Sequence, residues 1–234
     1  MKKIVISLGG SVLIPEVTKN RIRQYVPVLR EIAEKHQLFV VVGGGGEARR
    51  YIKAARALGI DEGTADEIGI LITRLNATLL VAAMGDAAYP KVAESHSEAK
   101  KSAEHRKCVV MGGITPGQTT DAVAAVLAER VSADVFINVT SVDGIYSADP
   151  KKDASAVRYD HLTPRKLLEI VGKDQLTAGL NTVLDVIAAR VVERSGIPLV
   201  VLDGTKPENL RSAVIDGKYR GSVVSEKKIQ PLPL

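Results

Sequence analysis

An α/β fold with a mostly parallel central sheet and helices on both faces is what the sequence predicts, and three observations carry the prediction. Short β-branched runs recur along the chain with amphipathic segments between them. Alanine, valine, isoleucine and leucine dominate, whereas aromatic residues make up 3% and tryptophan is absent. That balance suits parallel strands buried on both faces. Three of the apolar runs also end alike, in "ISLGGS", "VVVGGGGEARR" and "VVMGGITPGQTTD".

The strands are expected at residues 3–8, 38–42, 107–111, 134–139 and 198–202, each a short apolar run. Helical periodicity places helices at 20–35, 47–58, 65–84, 120–131 and 181–195. A shorter helix is expected from Pro164, a good first-turn residue, to Val171, stopped by Gly172. The most apolar helix, "ADEIGILITRLNATLLVAAMG", carries Arg74 and Asn76 mid-way, so it reads as buried in a core or a subunit interface rather than in a membrane. No fixed-period repeat or Ser/Gly-rich linker divides the chain. The terminal "KKIQPLPL" shows no pattern and is expected to lie outside the fold. The organisation is thus one domain over 1–226 and a tail over 227–234.

With 234 residues and 45% hydrophobic content the chain can bury a substantial core. A net charge of +5 without a dense Lys/Arg block suits a small acidic ligand, and so few rings argue against stacking on nucleic-acid bases. The single cysteine, Cys108, lies in an apolar run and reads as core. No stretch reads as a signal peptide or as an uninterrupted membrane span, so a cytoplasmic location is expected.

Glycine after a parallel strand lets the backbone approach a ligand, and a following helix presents free N–H groups and a positive dipole end. Parallel strands point their carboxyl ends one way, so the three loops should line one crevice. A Walker-type loop is absent, because Gly172-Lys173 is followed by Asp174 and Gly217-Lys218 by Tyr219. Gly43-x-Gly45-x-x-Ala48 fits a dinucleotide fingerprint, but the acidic residues that follow, Asp61 to Asp66, open a helix instead of ending a strand. Of two arginines after Gly46, one should face the loop and Arg50 the solvent. Thr119, Thr120 and Asp121 begin a helix, where a cap and a phosphate site are both open readings. "NVTSVDGIYSADP" reads as a hairpin or as a wrap around a nucleoside.

In this order, "GGGGEARR", "ITPGQTTDA" and "TSVDGIYSADPKKD" resemble the amino acid kinase superfamily and, within it, the archaeal-type UMP kinases. The resemblance runs through about Glu226. It implies a single three-layer α/β/α sandwich, with the acceptor held mainly by the N-terminal half and ATP by the C-terminal half. It further implies transfer of the γ-phosphate of Mg²⁺-bound ATP to UMP in pyrimidine biosynthesis, by a homo-oligomer, a hexamer built of dimers. By matching position, Gly9 and Gly10 would meet the ATP phosphates, Gly45 and Arg49 the ATP side, and Thr140, Tyr146 and Asp149 its nucleoside. Gly44, Asp66 and the loop Ile114, Thr115, Pro116, Gly117, Gln118, Thr119 and Thr120 would hold UMP. Asp121 and Asp185 match the organising acids. No residue is expected to form a metal site of its own, and neither nucleic acid nor membrane is an expected partner.

One position departs from that pattern. Many members carry a lysine two residues before the first glycine, where this chain has Ser7. Phosphoryl transfer depends on such electrostatic help, so Mg²⁺ with Lys173 or Arg49 is expected to supply the charge. The alternatives are another small-molecule kinase of the superfamily, for isopentenyl phosphate or carbamate, or a nucleotide- and oxyanion-storing protein without turnover. The absence of a histidine just after the second glycine loop, where Glu47-Ala48-Arg49-Arg50 stands, argues against the isopentenyl phosphate type.

Overall fold

In the computed structural model, which describes residues 1–148, 150, 153, 155–176 and 183–234, the first apolar run forms β1 (Lys3–Leu8). It is followed by the one-turn α1 (Gly10–Leu13), α2 (Ile22–Lys35), β2 (Gln37–Val42), α3 (Gly45–Ala57) and the long α4 (Glu62–Met84). Next come α5 (His96–Ser102), β3 (Cys108–Met111), α6 (Thr120–Val131) and β4 (Val135–Thr140). The C-terminal half adds the small hairpin of β5 (Ile145–Tyr146) and β6 (Arg158–Tyr159), then β7 (His161–Leu162) and α7 (Pro164–Leu176). It ends with α8 (Val186–Ser195), β8 (Leu199–Asp203), α9 (Pro207–Arg211) and β9 (Gly221–Val224).

Among the described residues the main sheet has seven strands in the order β3-β2-β1-β4-β8-β9-β7. The first five are mutually parallel; β9 runs antiparallel to β8, and β7 parallel to β9. Side chains alternate across a strand, and the two cores follow that alternation. Ile4, Ile6 and Leu8 of β1 pack with α2, α4 and α9, whereas Val5 packs with α6 and α8 on the other face. Helices on both faces of one sheet make the expected three layers. The alternation also puts Ser7 on the α6 face, level with Val41 of β2 and Asn138 of β4.

α4 begins one residue after Asp61, whose carboxylate accepts from the Thr64 N–H at 3.0 Å, and it ends at Gly85. Its polar mid-section has structural partners. Asn76 donates to the Gly43 carbonyl at 3.0 Å, and Arg74 bridges the Gly113 carbonyl at 3.2 Å and Glu94 at 2.7 Å. By length and composition alone this helix could cross a membrane, yet one face lies on the sheet. Leu71, Leu75 and Leu79, spaced one turn apart, stay exposed.

Three expectations need correction. The helix from Pro164 does not stop at Gly172 but continues to Leu176, since one glycine costs a helix only about 1 kcal/mol. The helix expected over 181–195 starts at Val186 among the described residues, with Asp185 as its N-cap. The tail is part of the fold: Leu232 is fully buried in the core beside α2 and α9, and Gln230 donates to the Gly217 carbonyl at 3.1 Å.

Candidate active site

The carboxyl ends of β1, β2, β3 and β4 open onto a crevice of about 350 Å³, and the glycine loops that end the first three strands all line it. The first two loops touch through backbone. A Cβ on Gly10 would sit 2.2 Å from the Gly45 nitrogen and 2.4 Å from the Gly43 carbonyl oxygen, which leaves no room for any side chain. Gly45 also has φ +66°, a left-handed conformation in which glycine is at no disadvantage. The Gly9 N–H is tied to the Val139 carbonyl at 3.0 Å, so the loop is anchored to β4 as well.

The third loop is held by α4. The Gly113 N–H donates to the Thr73 hydroxyl at 2.7 Å, and the Gly117 N–H to Asp66 Oδ2 at 2.7 Å. Asp66 therefore lies in the second turn of α4, not at its start, and it bridges helix and loop. Thr119 caps α6, its hydroxyl accepting from the Ala122 N–H at 3.1 Å. The same hydroxyl donates to Asp185 Oδ2, and Asp185 Oδ1 caps α8 through the Ile187 and Ala188 N–H groups at 2.8 and 3.0 Å.

Asp121, in the first turn of α6, forms part of the crevice wall. Burial pushes its carboxyl up to about 6; a hydrogen bond from Ser7 opposes the rise, and the nearby charge of Asp185 adds to it. Ser7 Oγ donates to Asp121 Oδ1 at 2.6 Å. Asn138, one strand over, donates to the Val183 carbonyl at 2.7 Å.

Of the residues singled out in the sequence, Gly9, Gly10, Gly44, Gly45, Arg49 and Asp66 border this crevice, as do Thr115, Gln118, Thr119, Thr120 and Thr140. The two arginines divide as expected: Arg50 pairs with Glu47 on the outer face of α3, and Arg49 forms no ion pair among the described residues. Ile114, Pro116 and Gly117 belong to the same loop without lining the crevice. Asp185 does not line it but is tied to it through the Thr119 hydroxyl. Asp149 and the side chain of Lys173 lie outside the described residues.

Tyr146 sits apart, beside a second and larger hollow of about 700 Å³ that Ser141, Asp143, Asp203, Asn209, Lys218 and Arg220 help to line. Its hydroxyl donates to Asp143 Oδ1 at 2.6 Å, while Arg220 and Arg158 approach Asp143 Oδ2 at 2.7 and 3.4 Å. Burial alone would raise the Asp143 carboxyl, but the Tyr146 hydrogen bond and the two guanidiniums outweigh it and hold it below the usual range.

The sequence reading missed Thr73, Asn76, Asn138 and Asp143 as organisers of the site. For the first two a signal was present: polar residues at three-residue spacing within an otherwise apolar helix, which need partners when buried.

The sequence pattern of the amino acid kinase family matches residues 2–203. The chain is 69% identical to the uridylate kinase of Methanoregula boonei over 234 residues, all of both chains. It is 63% identical to that of Methanoculleus marisnigri, again over all of both chains. The crystal structure of the Archaeoglobus fulgidus uridylate kinase superposes with a TM-score of 0.85 at 49% identity, over 96% of this chain and 100% of that one. A UMP kinase from Bacillus anthracis, 21% identical, shares the fold at a TM-score of 0.80, over 97% of each chain. Together with the touching glycine loops and the threonine-capped helix, these likenesses place the chain in the amino acid kinase family, among the archaeal uridylate kinases.

Proposed function

We propose that this chain transfers the γ-phosphoryl group of ATP to UMP, giving UDP and ADP, a step on the way to CTP. The observation that supports it most is the crevice itself. Two glycine loops in backbone contact face the N-terminus of α6 across one opening, so that two phosphate-bearing ends can meet inside it.

In this reading the backbone at Gly9, Gly10 and Gly45 approaches the ATP phosphates, with Arg49 forking onto their oxygens. Thr140, Tyr146 and Asp149 face the nucleoside. UMP lies between Gly44, Asp66 and the Ile114–Thr120 loop, whose hydroxyls and N–H groups receive its phosphate. A UMP phosphate oxygen attacks the γ-phosphorus in line, the bond to the β-phosphate oxygen breaks, and ADP leaves. Asp121 and Asp185, each fixed by a hydroxyl, set the geometry around the transferring group. Lys173 or Arg49 offsets its charge. In this reading Mg²⁺ enters as part of the Mg–ATP substrate, coordinated mainly by phosphate and water oxygens.

A coupled ADP-release assay with UMP, CMP, dUMP and isopentenyl phosphate tests the reading. UMP should give the highest kcat/KM. Absence of ADP release with UMP would overturn it and leave nucleotide storage as the better account.

The reading includes assembly into dimers and, from these, a hexamer in the cytoplasm. The exposed Leu71, Leu75 and Leu79 stripe is the face of α4 that a second copy would cover. Light scattering should report an oligomer for the native chain and smaller species for Leu75→Glu; a native monomer would contradict this part.

A further inference from the structure

Ser7 occupies a place that its own strand dictates. Period-2 alternation in β1 turns it to the same face as Val5, which is the face that α6 covers, and the register sets it level with Asn138. It is 1% exposed, and a buried hydroxyl needs a partner. The partner comes from 114 positions away: Oγ donates to Asp121 Oδ1 at 2.6 Å. Asp121 Oδ2 accepts no hydrogen bond among the described residues, and the residue borders the crevice.

We infer that Ser7 is a positioning residue of the site, using its hydroxyl to fix the Asp121 carboxylate so that one oxygen is bound to the β1 strand and the other is left for the crevice. This rests on the proposed kinase reading and adds to it. The position supplies no cation here; it supplies the direction in which an acid points.

A parallel arrangement lies next to it. The Thr119 hydroxyl donates to Asp185, whose other oxygen is spent on the α8 backbone. Two acids thus stand at neighbouring helix starts, each with a hydroxyl on one oxygen, and among the described residues it is Asp121 whose second oxygen accepts no hydrogen bond. The charged group that acts on Asp121 among the described residues is Asp185. From β1 and β4 the neighbours are the neutral Ser7 and Asn138, and His96 of α5 is engaged two residues further along α6, with the Val123 carbonyl at 3.0 Å. A hydrogen bond to a carboxylate favours the ionised form, so Ser7 both aims Asp121 and keeps it charged.

The test compares the native chain with Ser7→Ala and Ser7→Thr in the full-length protein, by steady-state kinetics with UMP and Mg–ATP and by the ¹³C carboxyl titration of Asp121. Ser7→Ala should lose about 10- to 100-fold in kcat with both KM values within about threefold. Its Asp121 midpoint should move to higher pH, and Ser7→Thr should recover most of the rate and the native midpoint. Native kcat and an unmoved midpoint in Ser7→Ala would overturn the inference, as would a Thr variant no better than Ala. The titration needs no turnover. If the native chain fails to phosphorylate UMP, the kinase reading falls, while the midpoints still decide whether Ser7 governs Asp121.

Discussion

The two sides of the crevice are built by different means. On the side of β1 and β2 the shape comes from backbone against backbone: Gly10 on Gly43 and Gly45, with Asn76 fastening the Gly43 carbonyl from below. On the side of α6 and α8 it comes from hydroxyl–carboxylate pairs, Ser7 with Asp121 and Thr119 with Asp185, and the same device, Tyr146 with Asp143, recurs at the separate hollow beside the β5–β6 hairpin. The first kind of construction admits no added atom but is indifferent to pH. The second tolerates changes of shape and is governed by charge.

That contrast orders the expected effects of substitution. Gly10→Ala should be the most damaging, because its Cβ meets backbone rather than a side chain that could swing away. A loss of roughly 4 kcal/mol or more is expected by chemical denaturation, with no measurable turnover. A variant that folds and works normally would show that the loops are not in fixed contact.

Asp121→Asn tests the other side, and its two effects should have opposite signs. Turnover should fall by about 100-fold, a typical loss for a preorganised charged group. Stability should rise. Asp121 titrates in the fold at about 6 against an ordinary 3.8, so it binds a proton more tightly folded than unfolded. Below the ordinary value it is protonated in both states and opposes nothing. As pH climbs through 6, keeping it ionised and buried costs up to about 3 kcal/mol, and the neutral amide removes that cost. Unfolding at pH 8 should therefore occur at higher denaturant for Asp121→Asn, with the difference vanishing near pH 4. In the native chain the acid limb of kcat should fall away below pH about 6.

Asn76→Ala leaves the Gly43 carbonyl without its buried donor and should cost about 1 to 3 kcal/mol, measured by denaturation. The smallest effect is expected at the hairpin. Tyr146→Phe removes one hydrogen bond from an acid that Arg158 and Arg220 still face, so the KM for ATP should rise by only about three- to tenfold, with the KM for UMP unchanged.

Much of the first kind of construction was legible in the sequence, and less of the second. β1 and β2 are short, apolar and closed by glycines, so their ends and the crevice they share follow from local pattern. Whether Arg49 or Arg50 faces the crevice follows from helix geometry and from the Glu47 pair available to Arg50. The Ser7–Asp121 and Thr119–Asp185 pairs join residues 114 and 66 positions apart, and local pattern carries no trace of them. Ser7 stood out only as a missing charge, since its link to Asp121 depends on which helix covers that face of β1. The tail was misread for the same reason. "KKIQPLPL" has no period of its own, and Leu232 is buried by joining the same core cluster as α2, α4 and α9, which only the folded chain assembles. The start of α8 was misplaced because Asp185 reads as an early-helix residue in one dimension and is a cap in three.

If this crevice moves a phosphoryl group between two bound nucleotides, the transfer itself can be followed. The decisive measurement is ³¹P NMR of the native chain and of Asp121→Asn, each with Mg–ATP and UMP. The native chain should show a growing UDP β-phosphate resonance in step with loss of the ATP γ-phosphate, and the variant almost none. Orthophosphate in place of UDP, or UDP formed equally fast by Asp121→Asn, would contradict such a transfer.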